Sequence, residues 1–335
     1  MTTLVTDEVL AMIGHTVTYV APEPLGPAAI RYFAIAVGSD PDRWVDEAPP
    51  TLVCETNQLT GIDRPDGDGY LGHVWSLPFP VPVTMIRGGN DYRFHRPVRP
   101  ADRITTAWRL EAVDEHVDRT GEPLAVVTAE ARYRDADGEA LATNVETLIY
   151  RPAGNDPGRG SRPGRAAGLS RARDGAHRSA NAGGRSAAPL RDRATSAGRP
   201  VQVGERLPDL VRRVELFDLV AYGAATWDWH RLHYDPDRAA RAGLAQPVVD
   251  GQLFGGLLAE QVMRALDRDD RLIRLHFRNR RPVFPGSELR CEAEVTEADD
   301  AGFVIAQSVM VDGQTVVDQA GAVVRYGLTR VRARP

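Results

Sequence analysis

Apolar positions recur along this chain with two different periods. Within residues 252–266, Leu253, Leu257, Leu258 and Leu266 fall near one helical face, and Phe254 and Met263 broaden it. Shorter stretches with helical spacing cover Ala28–Val37 and Asp218–Trp227. The runs Arg274–Arg278, Glu288–Glu297, Phe303–Val311 and Thr315–Tyr326 alternate instead and carry β-branched residues, which predicts strands. Asp137-Gly138 and Asp312-Gly313 each sit between alternating runs, where a hairpin turn is expected. Gly255 and Gly256 interrupt the longest helical run at a cost of about 1 kcal/mol each relative to Ala. Their presence implies close packing against that helix, by a sheet wrapped around it.

The order of elements repeats, which points to a duplicated module. Arg96-Pro97-Val98-Arg99-Pro100-Ala101-Asp102 precedes alternating residues in the first half, as Arg281-Pro282-Val283-Phe284-Pro285-Gly286-Ser287 does in the second. Gly14 and Gly204 each precede a short strand and then a helical stretch. Ala48-Pro49-Pro50 is set opposite Ala245-Gln246-Pro247, and Cys54 falls near the position of Gly251. The class is therefore α+β, with helices and antiparallel strands in two similar halves.

Between the halves the pattern stops. Residues 154–200 hold ten Arg, three Asp and no aromatic residue, amid many Ala, Gly, Ser and Pro. Such a stretch cannot bury enough apolar surface to offset its ordering entropy, so a disordered tether is expected. The division is thus 1–153, 154–200 and 201–335. With a formal charge of −5 overall, the rest of the chain carries about −12 once the tether's excess of seven is removed. That balance gives no reason to expect nucleic acid.

The 335 residues are 42% hydrophobic, yet no apolar run reaches the ~18 residues of a spanning helix. Met1 to Met12 lacks the pattern of a secretory signal, and two cysteines, Cys54 and Cys291, cannot build a disulfide framework. A cytoplasmic protein is the simplest expectation. All 41 cationic side chains are Arg. The absence of lysine excludes Schiff-base chemistry and a P-loop, and no nucleophile elbow or paired metal-ligand spacing appears.

The chemistry concentrates between Tyr222 and Gly251. Asp228 and His233 lie five residues apart just past a helical run. A carboxylate and an imidazole on one short loop can share a water, one taking a proton while the other gives one. Gly251 opens the long helix, where a backbone N–H is free to face an oxygen. Asp250 is expected to cap that helix and point away from the site. His230 either steadies the loop or faces solvent. Arg231 and Arg281 are candidates for anionic substrate groups, and Trp229 for a wall of the substrate pocket. For Glu260 a place on the helix surface is expected.

The segment resembles the hydratase motif of the MaoC-like, R-specific enoyl-CoA hydratases and dehydratases. That motif runs Asp-x-Asn-Pro-(Ile/Leu)-His, then Gly-(Phe/Leu), a Pro and a His-Gly pair. This chain reads Asp228-Trp229-His230-Arg231-Leu232-His233, Gly243-Leu244, Pro247 and Asp250-Gly251. The first half resembles the FAS1-like dehydratase domain that accompanies these enzymes, through Ile30–Asp40, Ala48–Thr51 and Tyr92–Ile104. The resemblance implies a double hot dog, each half a sheet wrapped around a helix. It implies Asp228 and His233 as the catalytic pair, Gly251 as the oxyanion donor, and hydration of a trans-2-enoyl thioester of coenzyme A or an acyl carrier. It implies no cofactor and no metal. The first half lacks a histidine where the second has His233, so one active site per chain is expected, in a monomer or a homodimer. Two alternatives stay open, a non-catalytic acyl-thioester-binding or partner subunit and a hot-dog thioesterase with Glu260 as its carboxylate. Dicarboxylic enoyl thioesters, paired through Arg231, are one substrate option.

Overall fold

The structure is a computed structural model that describes residues 3–62, 64–153 and 201–327. The expected tether at 154–200 lies outside the described residues.

Ten antiparallel strands form one sheet. The first half supplies β1 (Thr16–Val20), β2 (Val83–Phe94), β3 (Thr105–Val117), β4 (Pro123–Arg134) and β5 (Ala140–Pro152). The second supplies β6 (Leu210–Val214), β7 (Arg271–Asn279), β8 (Ser287–Ala298), β9 (Gly302–Val311) and β10 (Gln314–Arg325). The spatial order is β1-β3-β4-β5-β2-β7-β10-β9-β8-β6, so each half repeats the same sequence of neighbours outward from the β2–β7 seam. At the seam Asp91 pairs with His276, and Arg274 makes two hydrogen bonds to the Asp91 carboxylate. This is the double hot dog expected. Both Asp-Gly turns join hairpins, and Asp312 and Gly313 both take positive φ, as a tight two-residue hairpin loop requires.

The helices are α1 (Asp7–Leu10), α2 (Gly26–Ala36), α3 (Leu52–Glu55), α4 (Leu216–Thr226), α5 (Pro236–Arg241) and α6 (Leu253–Ala265). Residues 253–263 of α6 are all buried, which fits a helix surrounded by sheet and by the other half. The two halves differ here. In the first, α3 is a single turn, and residues 73–79 after it pack on β3 and β5. His73 stacks on Trp108, Trp75 is buried, and Phe79 packs on Tyr150.

The glycines of α6 are explained by what they touch. A Cβ on Gly255 would lie 2.8 Å from Glu55, 2.9 Å from Phe277 and 3.1 Å from Tyr92. One on Gly256 would lie 2.7 Å from Val37. The first half thus presses against the helix as closely as its own sheet does.

Hydrogen bonds correct the alignment of the two halves. Ala48 N–H donates to the Val98 carbonyl at 2.7 Å, and Val249 N–H donates to that of Val283 at 2.8 Å. Val98 and Val283 are the third residues of the two Arg-Pro-Val motifs. Ala48 therefore matches Val249, not Ala245, and Pro49-Pro50 stands where the second half has Asp250-Gly251. Cys54 consequently corresponds to Gly255.

Candidate active site

The loop carrying Asp228 begins where α4 ends. Trp227 closes the helix in the left-handed region at φ 58°, and Asp228 N–H donates back to the Gly223 carbonyl at 2.9 Å. A Cβ on Gly223 would meet the Asp228 carbonyl oxygen at 2.6 Å, so the helix needs glycine there. Three side chains of the first half satisfy the end of α4. Thr56, Asn57 and Gln58 donate to the carbonyls of Thr226, Trp227 and Ala225. The position of Asp228 is set jointly by both halves.

Asp228 is 5% exposed, and its Oδ1 accepts from the His230 N–H at 3.1 Å. His233 follows on the short 3-10 turn Arg231–His233, where its Nδ1 bonds the Val248 carbonyl at 2.8 Å. A carbonyl only accepts, so the proton sits on Nδ1 and Nε2 is left for the site. Asp250 does not point away as expected. Its Oδ1 accepts from Gln252 N–H at 2.9 Å, and that turn fixes the carboxylate before α6 with Oδ2 buried and unpartnered. One potential ligand atom each from Asp228, His233 and Asp250 lies within 4.8 Å of the others. The trio has the donors to hold a water, and its charge also suits a cation.

Burial pushes the Asp228 carboxyl up to about 6, the Asp250 charge adds to this, and His233 opposes it. Burial, then the neighbouring His233, pulls His230 down to about 4. His230 is thus a neutral ring packed edge-on to His233 and Tyr70, which answers the question of its orientation. The Gly251 N–H has no hydrogen-bond partner among the described residues. A Cβ there would lie 2.5 Å from Asn279 Nδ2.

The remaining sequence candidates lie outside this cluster. Trp229 is 37% exposed, and its carbonyl accepts from the Tyr234 hydroxyl. Arg231 pairs with Asp235 at the surface, and Arg281 is exposed. An Arg231→Ala variant is expected to leave KM for an enoyl thioester within about twofold, because its charge is already spent. Initial-rate kinetics check this. Tyr222 is buried and walls the site, whereas Trp227 is 48% exposed. Glu260 is 5% exposed and pairs with Arg264, so it is buried rather than on the helix surface.

Four nearby residues escaped the sequence reading. Asn279 adjoins Gly251 and donates to the Arg87 carbonyl. Arg87 is partly buried and paired with Glu146, and burial opposes its charge less than Glu146, Tyr70 and Asp250 support it. A register shift between Arg87 and Gly89 resets the alternation of β2 and brings Arg87 to the inner face. Glu55, at the end of α3, is 1% exposed and accepts from the Tyr222 hydroxyl at 2.8 Å. Burial and then Asp250 drive its carboxyl well above the usual range, against the Tyr222 bond. Tyr70 belongs to a covering segment. Beside it the Asp68 carbonyl accepts from Arg231 N–H, Asp68 pairs with Arg238, and Gly69 packs on the Trp229 carbonyl. Leu219, Tyr222, Gly223, His233, Asp250 and Leu253 wall a small pocket beside the trio.

The profile of the MaoC like domain matches residues 194–318, and that of the FAS1-like dehydratase domain region matches residues 11–144. An (R)-specific enoyl-CoA hydratase of Aeromonas caviae is 30% identical over 104 residues, 30% of this chain and 75% of that one. The chain belongs to the MaoC-like dehydratase family. Other relatives are matched over less of their length. The peroxisomal multifunctional enzyme type 2 of Mus musculus is 30% identical over 123 residues, 33% of this chain but 17% of that protein. The chain likewise spans about half, 52%, of a mitochondrial 3-hydroxyacyl-[acyl-carrier-protein] dehydratase of Arabidopsis thaliana, at 30% identity over 25% of its own length. Among solved structures, a MaoC-like dehydratase superposes with a TM-score of 0.65 at 20% identity, covering 95% of this chain and 100% of that one. A Mycobacterium tuberculosis protein described as a double hotdog gives 0.59 at 16% identity, covering 93% and 96%. In this MaoC-like chain, as elsewhere among the described residues, no helix is long and apolar enough to cross a membrane.

Proposed function

We propose that this chain is a hydro-lyase that adds water to a trans-2-enoyl thioester, or runs the reverse dehydration, giving the R-3-hydroxyacyl product. The observation that carries the reading is the buried trio of Asp228, His233 and Asp250 before the unpartnered Gly251 N–H. Asp228 and His233 Nε2 hold the water. As its oxygen bonds C3, Asp228 takes a proton and the electron pair moves onto the thioester oxygen. The Gly251 N–H stabilises that charge at the start of α6. A proton returned from the pair to C2 closes the enolate and leaves both residues as they began. The Asp250 charge raises the basicity of Asp228.

The catalytic module is 201–335, and 1–153 supports it without chemistry of its own. Since both halves belong to one chain, the site needs no second subunit. The carrier is coenzyme A or an acyl carrier protein, both named among the relatives' activities. A plain hot-dog thioesterase centred on Glu260 is disfavoured, because that carboxylate is paired with Arg264.

The first test follows enoyl-thioester ultraviolet absorbance with crotonyl-CoA and a longer enoyl-CoA. Loss of absorbance with an R-3-hydroxyacyl product supports the reading, and no loss with either, or with mesaconyl-CoA, contradicts it. The pH profile is a second expected outcome. Asp228 acts unprotonated, and its carboxyl titrates near 6. kcat/KM should therefore fall about tenfold per unit as pH drops below that value, not below the ordinary carboxylate range. An acid limb near 4 would remove Asp228 as the base.

A further inference from the structure

The trio beside Gly251 departs at one position from the motif that it resembles. Where that motif has a histidine before the glycine, this chain has Asp250. The site therefore gathers two carboxylates and one imidazole, with one donor atom from each within 4.8 Å of the others. Each of the three is held from behind. A backbone N–H donates to one oxygen of Asp228 and another to one oxygen of Asp250, while His233 Nδ1 is engaged by the Val248 carbonyl. His233 Nε2 and a second oxygen of each acid remain for the centre. Hydrogen bonds of this kind are what orient the ligands of a metal ion.

A second observation separates this cluster from an ordinary acidic turn. Asp250 is 8% exposed, and its Oδ2 is buried with no hydrogen-bond partner among the described residues. Asp250 and His233 both wall the small pocket beside the trio. A buried carboxylate oxygen without a donor is unfavourable. The surroundings give little relief. Arg87 acts on both Asp228 and Asp250, but its ion pair is with Glu146, and the Asp250 charge also bears on the buried Glu55 carboxyl. A divalent cation at the centre would balance the two carboxylates and give Oδ2 its partner. The donor set names the class of cation. One imidazole nitrogen with two carboxylate oxygens suits zinc, which accepts three protein ligands and keeps a fourth position open. Magnesium and calcium call for sites of six or more ligands built from oxygen.

We propose that Asp228, His233 and Asp250 bind one zinc ion in place of the catalytic water, so that the metal reversibly silences the site. The silencing rests on the proposed hydration, whereas the binding does not. The ion takes the lone pairs of Asp228 and of His233 Nε2 that otherwise hold the water. Calorimetric titration of the chelator-treated chain with zinc chloride should count about one ion per chain. Asp250→Asn, which keeps an oxygen to accept from Gln252 N–H, should weaken binding at least tenfold, and Asp228→Asn should do the same. Magnesium chloride should not bind in its place. Hydration of crotonyl-CoA by the metal-free chain should fall below about a tenth with zinc bound and return on adding chelator. Zinc that fails to bind overturns the proposal, and zinc that binds both variants as well as wild type places the ion elsewhere and overturns it too. Zinc bound with hydration unchanged overturns the exchange with water. Hydration that appears only with zinc overturns the silencing and removes Asp228 as a free base. Zinc bound as expected to a chain that never hydrates would support the metal site and sink the hydratase reading instead.

Discussion

Asp228→Asn should lower turnover by about 10²–10⁴-fold and, at the same time, raise the melting temperature at neutral pH. The first effect follows from losing the base. Asn keeps the oxygen that accepts from the His230 N–H, so the loop has no reason to open. The second follows from the direction of the titration. Folding lifts the Asp228 carboxyl from an ordinary 3.8 to about 6, mainly through burial. Between those values the folded chain holds the extra proton, so stability falls as pH rises through the window, and the cost persists in full above it. Removing the charge should return about 1–3 kcal/mol at pH 7. The gain should vanish below about pH 4, where both states are protonated. Thermal unfolding at pH 7 and pH 4, beside hydration rates, reads both effects. Near-normal turnover would remove Asp228 from the chemistry, and a lowered melting temperature would make it a structural cap.

The clustering of Asp228 and His233 was legible in sequence because its information is local. Asp228 and His233 sit on one turn, and the Asp-Gly pair before α6 marks a helix start. Helix and strand periods were legible for the same reason, with boundaries moved by a few residues, as for Arg274–Arg278 against the observed Arg271–Asn279. What failed depended on contacts and bulges that local pattern does not show. Glu55 ends an apolar run and gives no sign that it faces Tyr222, 167 residues away. Arg87 reads as an exposed strand residue until the shift at Gly89 turns it inward. Asp250 was expected to point away on electrostatic grounds, but the turn that caps Gln252 leaves its second oxygen no other direction. The alignment of the halves was misplaced because Pro residues were matched by kind. The Val98 and Val283 carbonyls decide it instead.

Gly255→Ala should cost stability and activity together while leaving every catalytic side chain in place. Two effects compete. Alanine is the better helix former by about 1 kcal/mol, which favours the variant. Against it, the added methyl group would lie 2.8 Å from Glu55, 2.9 Å from Phe277 and 3.1 Å from Tyr92. The two rings pack against each other, with centroids 5.9 Å apart, and both residues are nearly inaccessible, so neither can move aside freely. Overpacking of this kind costs about 1–3 kcal/mol, and with three neighbours at once it should prevail, for a net loss of about 1–2 kcal/mol. The strain is relieved by shifting α6 away from the first half. That movement carries Gly251, one turn earlier, off the position proposed for its N–H beside the thioester oxygen. A displacement near 1 Å costs up to about 10²-fold in rate, so kcat should fall about 10–100-fold with KM little changed. Gly67→Ala is the control, since nothing lies within 4 Å of that position, and it should change neither quantity. Denaturant unfolding and hydration kinetics on the two variants decide the matter. A Gly255→Ala chain more stable than wild type would mean that the seam yields, and that the first half does not fix the start of α6.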